Sequence, residues 1–117
     1  MIPMLRVEEK KQGTKHDEGK LRFDLIPWEI ISELANVYTV GAKEYGENNW
    51  RAGFEYGRLI GATMRHFTAW VGGKDTDDKS GLHHLDSAIW NLVTLRYQEE
   101  HETGIDDRWC TIGNRNK

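Results

Sequence analysis

The fold is decided by residues 82–101, which read Leu-His-His-Leu-Asp-Ser-Ala-Ile-Trp-Asn-Leu-Val-Thr-Leu-Arg-Tyr-Gln-Glu-Glu-His. Apolar residues recur along this stretch at helical spacing, and Ser80 stands before it as a suitable N-cap. The apolar stripe consists of Leu82, Leu85, Ile89 and Leu92, widened by Val93 and Tyr97. The spacing therefore predicts a helix over about residues 82–101 with one apolar face.

Two more helices are predicted upstream of this one. Pro27 suits the first turn of a helix because its missing N–H would be unpaired there anyway, and Gly46 is expected to stop that helix after Glu44. A second helix is predicted from about residue 58 to residue 71, where two glycines follow. Its apolar stripe is Ile60, Met64, Phe67 and Val71. Each helix has one apolar side to bury.

The segments between the helices complete an all-α prediction. Alternating residues over 15–26 suggest a short extended segment, 46–57 an ordered loop, and 74–81 an acidic, flexible loop. We predict a small bundle of about three main helices, with homo-oligomerisation covering the apolar faces that three helices leave exposed. The expected organisation is a flexible lead over 1–14, a helical domain over 15–101 and a tail over 102–117.

Composition narrows the class of protein. With 117 residues the chain fits one domain, and a single cysteine cannot form an intramolecular disulfide. Lysine and arginine number 16 against 19 acidic residues, and the resulting net charge of -3 gives no attraction to duplex nucleic acid. The sequence shows neither a secretory signal nor an apolar stretch long enough to span a membrane, so a cytoplasmic location is expected.

Histidines on the predicted helices mark the best candidate site. His66 lies beside the apolar stripe of the second helix, where it is either a hydrogen-bonded core residue, the more frequent case, or a ligand. On the third helix His84, Ser87 and Asn91 share one face and need polar partners, which a metal, water or a ligand would supply.

A histidine and an aspartate near the start of the third helix leave two interpretations open. His83 and Asp86 form either a pair of metal ligands or a helix N-terminus with a favourably placed acid and a solvent-facing histidine. The acidic loop before them could add oxygen ligands from Asp75, Asp77 and Asp78, although such loops are more often only solvated.

Cationic, amide and aromatic residues suggest contacts to a nucleotide. Lysine and arginine neutralise phosphates, asparagine reads a base edge, and tryptophan stacks on a base. The candidates are Lys20, Arg22, Lys43, Asn48, Asn49, Trp50, Arg51 and Asn91. Neither a P-loop nor a GxGxxG motif is present, so a glycine cradle for phosphates is not expected.

Four segments together resemble the N-terminal domain of phage dATP/dGTP diphosphohydrolases. They are Lys-His-Asp-Glu-Gly-Lys-Leu-Arg-Phe-Asp-Leu-Ile-Pro-Trp at 15–28, Gly-Ala-Lys-Glu-Tyr-Gly-Glu-Asn-Asn-Trp at 41–50, Met-Arg-His at 64–66 and Ser-Gly-Leu-His-His-Leu at 80–85. The resemblance extends over residues 15 to about 97. It implies kinship with the all-α, MazG-like pyrophosphohydrolases, which split a nucleoside triphosphate into monophosphate and pyrophosphate with magnesium.

The resemblance also implies where the chemistry takes place. It indicates a purine deoxynucleotide substrate, a divalent ion, and action on the nucleotide pool of an infected bacterial cell. The E-E-x-x-E and E-x-x-D motifs of MazG-like enzymes are absent, and His84 stands at one acidic position. The expected metal and catalytic residues are Glu44, His66, His84 and Asp86. Mg²⁺ or Mn²⁺ is the expected ion, and a non-catalytic nucleotide-binding protein is the alternative.

Overall fold

The structure, a computed structural model, describes residues 11–109. It contains three helices: α1 at Trp28–Tyr45, α2 at Tyr56–Val71 and α3 at His84–His101. Two short 3-10 helices, Phe23–Leu25 and Asn49–Ala52, precede α1 and α2. No strand forms within the described residues, and the all-α prediction is confirmed. Most of the predicted flexible lead, residues 1–10, and the end of the predicted tail, residues 110–117, lie outside the described residues.

The extended segment predicted before α1 is wrong. The carbonyl of Asp17 accepts a hydrogen bond from Lys20 N at 3.1 Å, which closes a turn instead of extending the chain. The 3-10 helix follows, beside an Arg22 guanidinium that donates to both Asp24 oxygens at 2.8 and 2.7 Å. Leu21 is 82% exposed, so the apolar alternation of this segment buries nothing against the rest of the chain.

Local sequence signals set the end of α1 and the start of α3. α1 stops where predicted, since Gly46 adopts a φ of 94° that favours glycine. Ser80 is not the N-cap of α3, because the helix begins later, at His84. His83 is the N-cap, and its Nδ1 accepts a hydrogen bond from Leu85 N at 3.1 Å. The Nδ1 atom of His83 thus caps the helix in place of the Ser80 hydroxyl.

α2 and α3 pack as an antiparallel helical hairpin. His66 of α2 meets His84 at the start of α3, and Tyr56 at the start of α2 lies with Glu99 near the end of α3. α1 packs on α3 through Tyr38, whose hydroxyl is 3.5 Å from that of Thr94. α3 therefore lies between the other two helices.

The inward face of α3 is polar. Its buried residues are His84, Ser87, Ala88, Asn91, Thr94 and Gln98. The predicted apolar stripes lie mostly outside the core, with Met64 52% and Leu92 52% exposed. The expectation that these stripes face inward is wrong for a single chain. Hydrogen bonds satisfy part of the polar face instead, as where Asn91 Nδ2 donates to the Ser87 carbonyl at 2.8 Å.

Residues 103–108 form a C-terminal strap across the start of α2. Tyr56 N donates to the Ile105 carbonyl at 2.8 Å, and Gly57 N donates to Asp107 Oδ1 at 2.7 Å. The fully buried Gln98 clamps the segment before α2, because its Oε1 accepts from Phe54 N at 2.6 Å. Part of the predicted tail thus docks on the bundle. None of the helices within residues 11–109 is long and apolar enough to cross a membrane.

Candidate metal centre

Three side chains meet where α2 ends and α3 begins. They are His66, Asp77 and His84, and each offers one ligand atom within 4.8 Å of the others. The two histidine Nδ1 atoms are 2.9 Å apart, and His66 Nδ1 is 4.0 Å from Asp77 Oδ2. His84 is buried, and the His66 and Asp77 side chains are 22% and 25% exposed. The group is therefore shielded from water but still open to a small ion.

The loop between α2 and α3 places Asp77 beside the histidines. Asp77 N donates to the Leu82 carbonyl and Gly81 N donates to the Asp77 carbonyl, both at 2.8 Å. His84 N donates to the Asp75 carbonyl at 2.8 Å, which ties the loop to the start of α3. The acidic loop, which was predicted to be flexible, is instead closed by backbone hydrogen bonds.

The two oxygens of Asp77 do different things. Oδ1 accepts hydrogen bonds from Lys79 N at 2.7 Å and Ser80 N at 3.0 Å, while Oδ2 is the oxygen that faces His66. Those backbone N–H groups, Ser80 first, hold the pKa of Asp77 below its usual range. Asp77 therefore stays charged at neutral pH and in a fixed orientation.

The surroundings of His66 favour its neutral form. Burial, and then the neighbouring His84, lower its pKa below the ordinary value, while Asp77 acts in the opposite direction. Arg65 adds a smaller lowering effect of its own. A neutral imidazole keeps a lone pair, and this is the form that binds a metal ion.

The donor set fits a divalent first-row ion. Neighbouring ligands on an octahedral ion with bonds of about 2.1 Å lie about 3.0 Å apart, close to the 2.9 Å between the histidine nitrogens. Two imidazoles with one carboxylate suit Mn²⁺, Fe²⁺ or Zn²⁺ at least as well as Mg²⁺, which prefers oxygen. The rival arrangement is a histidine pair in which one Nδ1–H donates to the other, with no ion.

Two of the four predicted ligands, Glu44 and Asp86, lie outside this group. Glu44 is exposed in the last turn of α1, and Asp86 is half-buried in the first turn of α3. Neither belongs to the group that forms within residues 11–109, and Asp77 does. Asp77 was considered for the site, but an acidic loop gives no periodic signal of what it faces.

A second cluster gathers three of the predicted substrate residues. The Trp50 ring lies 4.9 Å from the Tyr97 ring, and the Arg51 guanidinium sits 4.5 Å over Trp50. Arg51 donates to the Tyr97 hydroxyl at 2.9 Å and to Asn48 Oδ1 at 2.8 Å. Tyr97 follows His84 by thirteen residues on α3, a separation of about 20 Å along the helix axis. The structure thus divides the predicted site between two places.

The other predicted substrate residues are spread over the surface and the core. Lys20, Arg22, Lys43 and Asn49 are exposed, while Asn91 is buried two turns below His84. The contact between Arg51 and Tyr97 was not predicted, because only the fold brings the end of α3 to the loop after α1.

Most of the chain matches the model of a known protein family. The family model for the dATP/dGTP diphosphohydrolase N-terminal domain matches residues 10–108. The chain belongs to this family. In this member of the dATP/dGTP diphosphohydrolase N-terminal family, the matched region contains the three helices, the loop bearing Asp77 and the C-terminal strap. No match was found among curated proteins or among solved structures.

Proposed function

We propose that this chain is a metal-dependent pyrophosphohydrolase that converts purine deoxynucleoside triphosphates into monophosphate and pyrophosphate. The observation that carries the proposal is the meeting of His66, Asp77 and His84 in one half-buried group. The family name supplies the substrate class, since it specifies dATP and dGTP diphosphohydrolases.

The chain's own residues account for binding the ion. His66 and His84 offer nitrogen ligands, and Asp77 offers a charged oxygen that its loop already orients. A divalent ion held there would neutralise phosphate charge and make water a better nucleophile. In the reaction, water adds at the α-phosphorus and the bond to the bridging oxygen breaks, which yields monophosphate and pyrophosphate. Glu44 and Asp86 remain proposed contributors outside the group.

The proposed nucleotide contacts lie around the second cluster and the exposed cations. Trp50 would stack on a base only after Arg51 moves from its position over the ring, because the guanidinium now covers it. Lys20 and Lys43 are exposed and available to phosphates. We propose a free nucleotide as the ligand and not a duplex, in line with the net charge of -3, and the cytoplasm of an infected bacterial cell as the location.

A second candidate function is nucleotide binding without turnover. The observation in its favour is that the group holds a single carboxylate, Asp77, and that the acidic motifs of MazG-like enzymes are absent. Such a protein would bind nucleotide and ion but form no product.

The deciding experiment incubates the protein with each of the four dNTPs in Mg²⁺, Mn²⁺, Co²⁺ or Zn²⁺ and measures monophosphate and pyrophosphate. We expect turnover of dATP and dGTP, and its loss in His84→Ala. The matched control is His83→Asn, which changes the adjacent histidine but retains a good N-cap side chain.

Each result points to one interpretation. Nucleotide-dependent thermal stabilisation without product supports the binding protein and overturns hydrolysis. Turnover that survives in His84→Ala removes the metal group from the mechanism. Absence of both binding and product would overturn both functions.

A further inference from the structure

Arg65 lies directly before His66 in α2, next to the metal centre. Its side chain is exposed, and within residues 11–109 it makes no hydrogen bond and no ion pair. The charge of Arg65 is one of the causes that lower the pKa of His66, so the guanidinium is close enough to act electrostatically on the metal centre. An arginine without a protein partner therefore stands beside the three candidate metal ligands.

Gly61 shows where the guanidinium of Arg65 lies. A Cβ atom at this glycine would be 3.0 Å from Arg65 Nη1, so the arginine side chain is folded back along α2 against the glycine one turn earlier. A glycine inside a helix is less favourable than an alanine, and here it leaves room for the guanidinium. His66 follows Gly61 by five residues, a separation of about 7.5 Å along the helix axis. The charge of Arg65 thus stays on the helix surface, within reach of a ligand that is bound at His66.

The cations predicted to bind phosphate lie on other elements than those that build the metal centre. They are Lys20, Arg22, Lys43 and Arg51. Arg22 donates to both Asp24 oxygens, at 2.8 and 2.7 Å. Arg51 lies with Tyr97 about 20 Å from His84 along α3, which is further than a triphosphate extends. The predicted set therefore assigns no cation to α2, α3 or the loop between them.

The metal centre needs added positive charge to hold a polyphosphate. A divalent ion beside the single carboxylate of the group leaves about one net positive charge, because histidines bind a metal ion in their uncharged form. A nucleoside triphosphate carries several negative charges. The lysine and arginine residues between positions 64 and 83 are Arg65, Lys74 and Lys79. Lys74 is paired with Asp78 at 2.9 Å, which leaves Arg65 and Lys79 to meet an anion.

Lys79 approaches the metal centre from the loop between α2 and α3. Its backbone N donates to Asp77 Oδ1 at 2.7 Å, so the base of its side chain is fixed beside the carboxylate. The residue is exposed, and its ammonium group has no hydrogen bond or ion pair with the part of the chain that the structure describes. α2 and the loop thus each present one unpaired cation next to the same group.

We infer that Arg65 and Lys79 form an anion-binding side of the metal centre that holds the polyphosphate of a nucleotide. The choice of a nucleotide rests on the proposed function, whereas the charges alone call for a polyphosphate anion. An arginine presents five N–H donors in a planar fork that can bind two phosphate oxygens, and a lysine adds a point charge. With the α-phosphorus next to the histidines, a guanidinium more than one helical turn away meets the terminal phosphates, which leave as pyrophosphate. Positive charge there stabilises the negative charge that develops on the leaving group.

The test measures binding of inorganic pyrophosphate to the full chain by isothermal titration calorimetry, in Mg²⁺ and in Mn²⁺. We expect the dissociation constant to rise about 10- to 100-fold in Arg65→Gln, which loses charge-assisted hydrogen bonds, and to rise less in Arg65→Lys, which keeps the charge. Lys79→Gln should also raise it, by a smaller factor, because an ammonium lacks the bidentate fork.

The matched control is Arg58→Gln. Arg58 is an exposed arginine seven residues before Arg65, on nearly the same side of α2, and its side chain has no partner among residues 11–109. Its removal should change the dissociation constant by less than about twofold, because salt screens a charge about 10 Å further along the helix. The affinity for Mn²⁺, measured by competition with a chelator, should not weaken in Arg65→Gln, since Arg65 is not a metal ligand.

Turnover of dATP, measured separately on the parent chain, distinguishes this inference from the proposed function. A parent that binds pyrophosphate through Arg65 but forms no product overturns hydrolysis and supports the anion-binding side. A parent that turns dATP over, with the same pyrophosphate affinity in Arg65→Gln, overturns the anion-binding side and supports hydrolysis. Equal losses in Arg58→Gln and Arg65→Gln also overturn the inference, as does a parent that binds no pyrophosphate.

Discussion

Replacing Asp77 by asparagine tests the metal centre with little disturbance of the fold. The amide oxygen of the new side chain can accept the same bonds from Lys79 N and Ser80 N that Asp77 Oδ1 accepts at 2.7 and 3.0 Å. The loop therefore stays closed, and the main loss is the negative charge that faces His66 through Oδ2. We expect weaker metal binding and an unchanged loop.

The size of the effect follows from Coulomb's law. Two unit charges about 4 Å apart interact by about 1 kcal/mol in water and about 4 kcal/mol at an effective dielectric constant of 20. The His66 and Asp77 side chains are 22% and 25% exposed, so an intermediate value applies. For a divalent ion we expect a loss of about 2–3 kcal/mol, on the order of 30- to 150-fold in dissociation constant.

The assay is competition for Mn²⁺, Co²⁺ or Zn²⁺ against a chromophoric chelator. The control is Asp78→Asn, which removes the neighbouring charge but affects only a surface pair with Lys74 at 2.9 Å. Asp78→Asn should bind the ion within about twofold of the parent, because exposed pairs contribute little. Equal affinities for Asp77→Asn and the parent chain, or equal losses in both variants, would refute the assignment of Asp77.

Three further predictions concern stability of the metal-free chain. Burial and His84 hold the pKa of His66 below its ordinary value of about 6.5, so the unfolded chain takes up a proton at this residue at a higher pH than the folded chain does. The free energy of unfolding, measured by urea titration, should therefore fall as the pH drops below 6.5, and it should fall less in His66→Gln. Gln98→Leu leaves the part-buried Phe54 N–H without its partner and should cost about 1–3 kcal/mol in the same titration. A loss below about 0.5 kcal/mol would show that the bond from Phe54 N to Gln98 does not hold the segment before α2. Gly104 has a φ of 73°, and Gly104→Ala places a methyl group against the Phe54 carbonyl, so this variant should have a lower melting temperature. Its control, Gly41→Ala, adds a methyl group in open space on α1 and should raise the free energy of unfolding by up to about 1 kcal/mol.

The helices could be predicted because their signals are local. Apolar spacing and Gly46 located α1, and glycines at 72 and 73 ended α2 at Val71. The start of α3 was misplaced because Ser80 and His83 can both accept a hydrogen bond from a backbone N–H, and only the closed loop decides between them. Local chemistry thus gives an element but not always its first residue.

The direction that each helix faces could not be predicted in the same way. An apolar stripe such as that of Ile60 and Phe67 indicates burial, but not whether its partner is the same chain or another one. α3 buries its polar row because Asn91 and Gln98 find backbone partners there. The partner of Asn91 is Ser87, one turn earlier in α3, but the partner of Gln98 is Phe54, which is distant in sequence. The pairing of His66 with His84 was anticipated, whereas Asp77 needed the loop geometry.

Two adjacent histidines at the start of α3 make chain length part of the metal centre. His83 caps the helix and His84 enters the group, and one residue corresponds to a rotation of about 100°. An insertion or deletion of one residue between Asp77 and His83 would change how this loop closes and would move the carboxylate relative to both histidines. The spacing of this loop, more than its acidic composition, is therefore the quantity to compare when other chains are judged able to build the same centre.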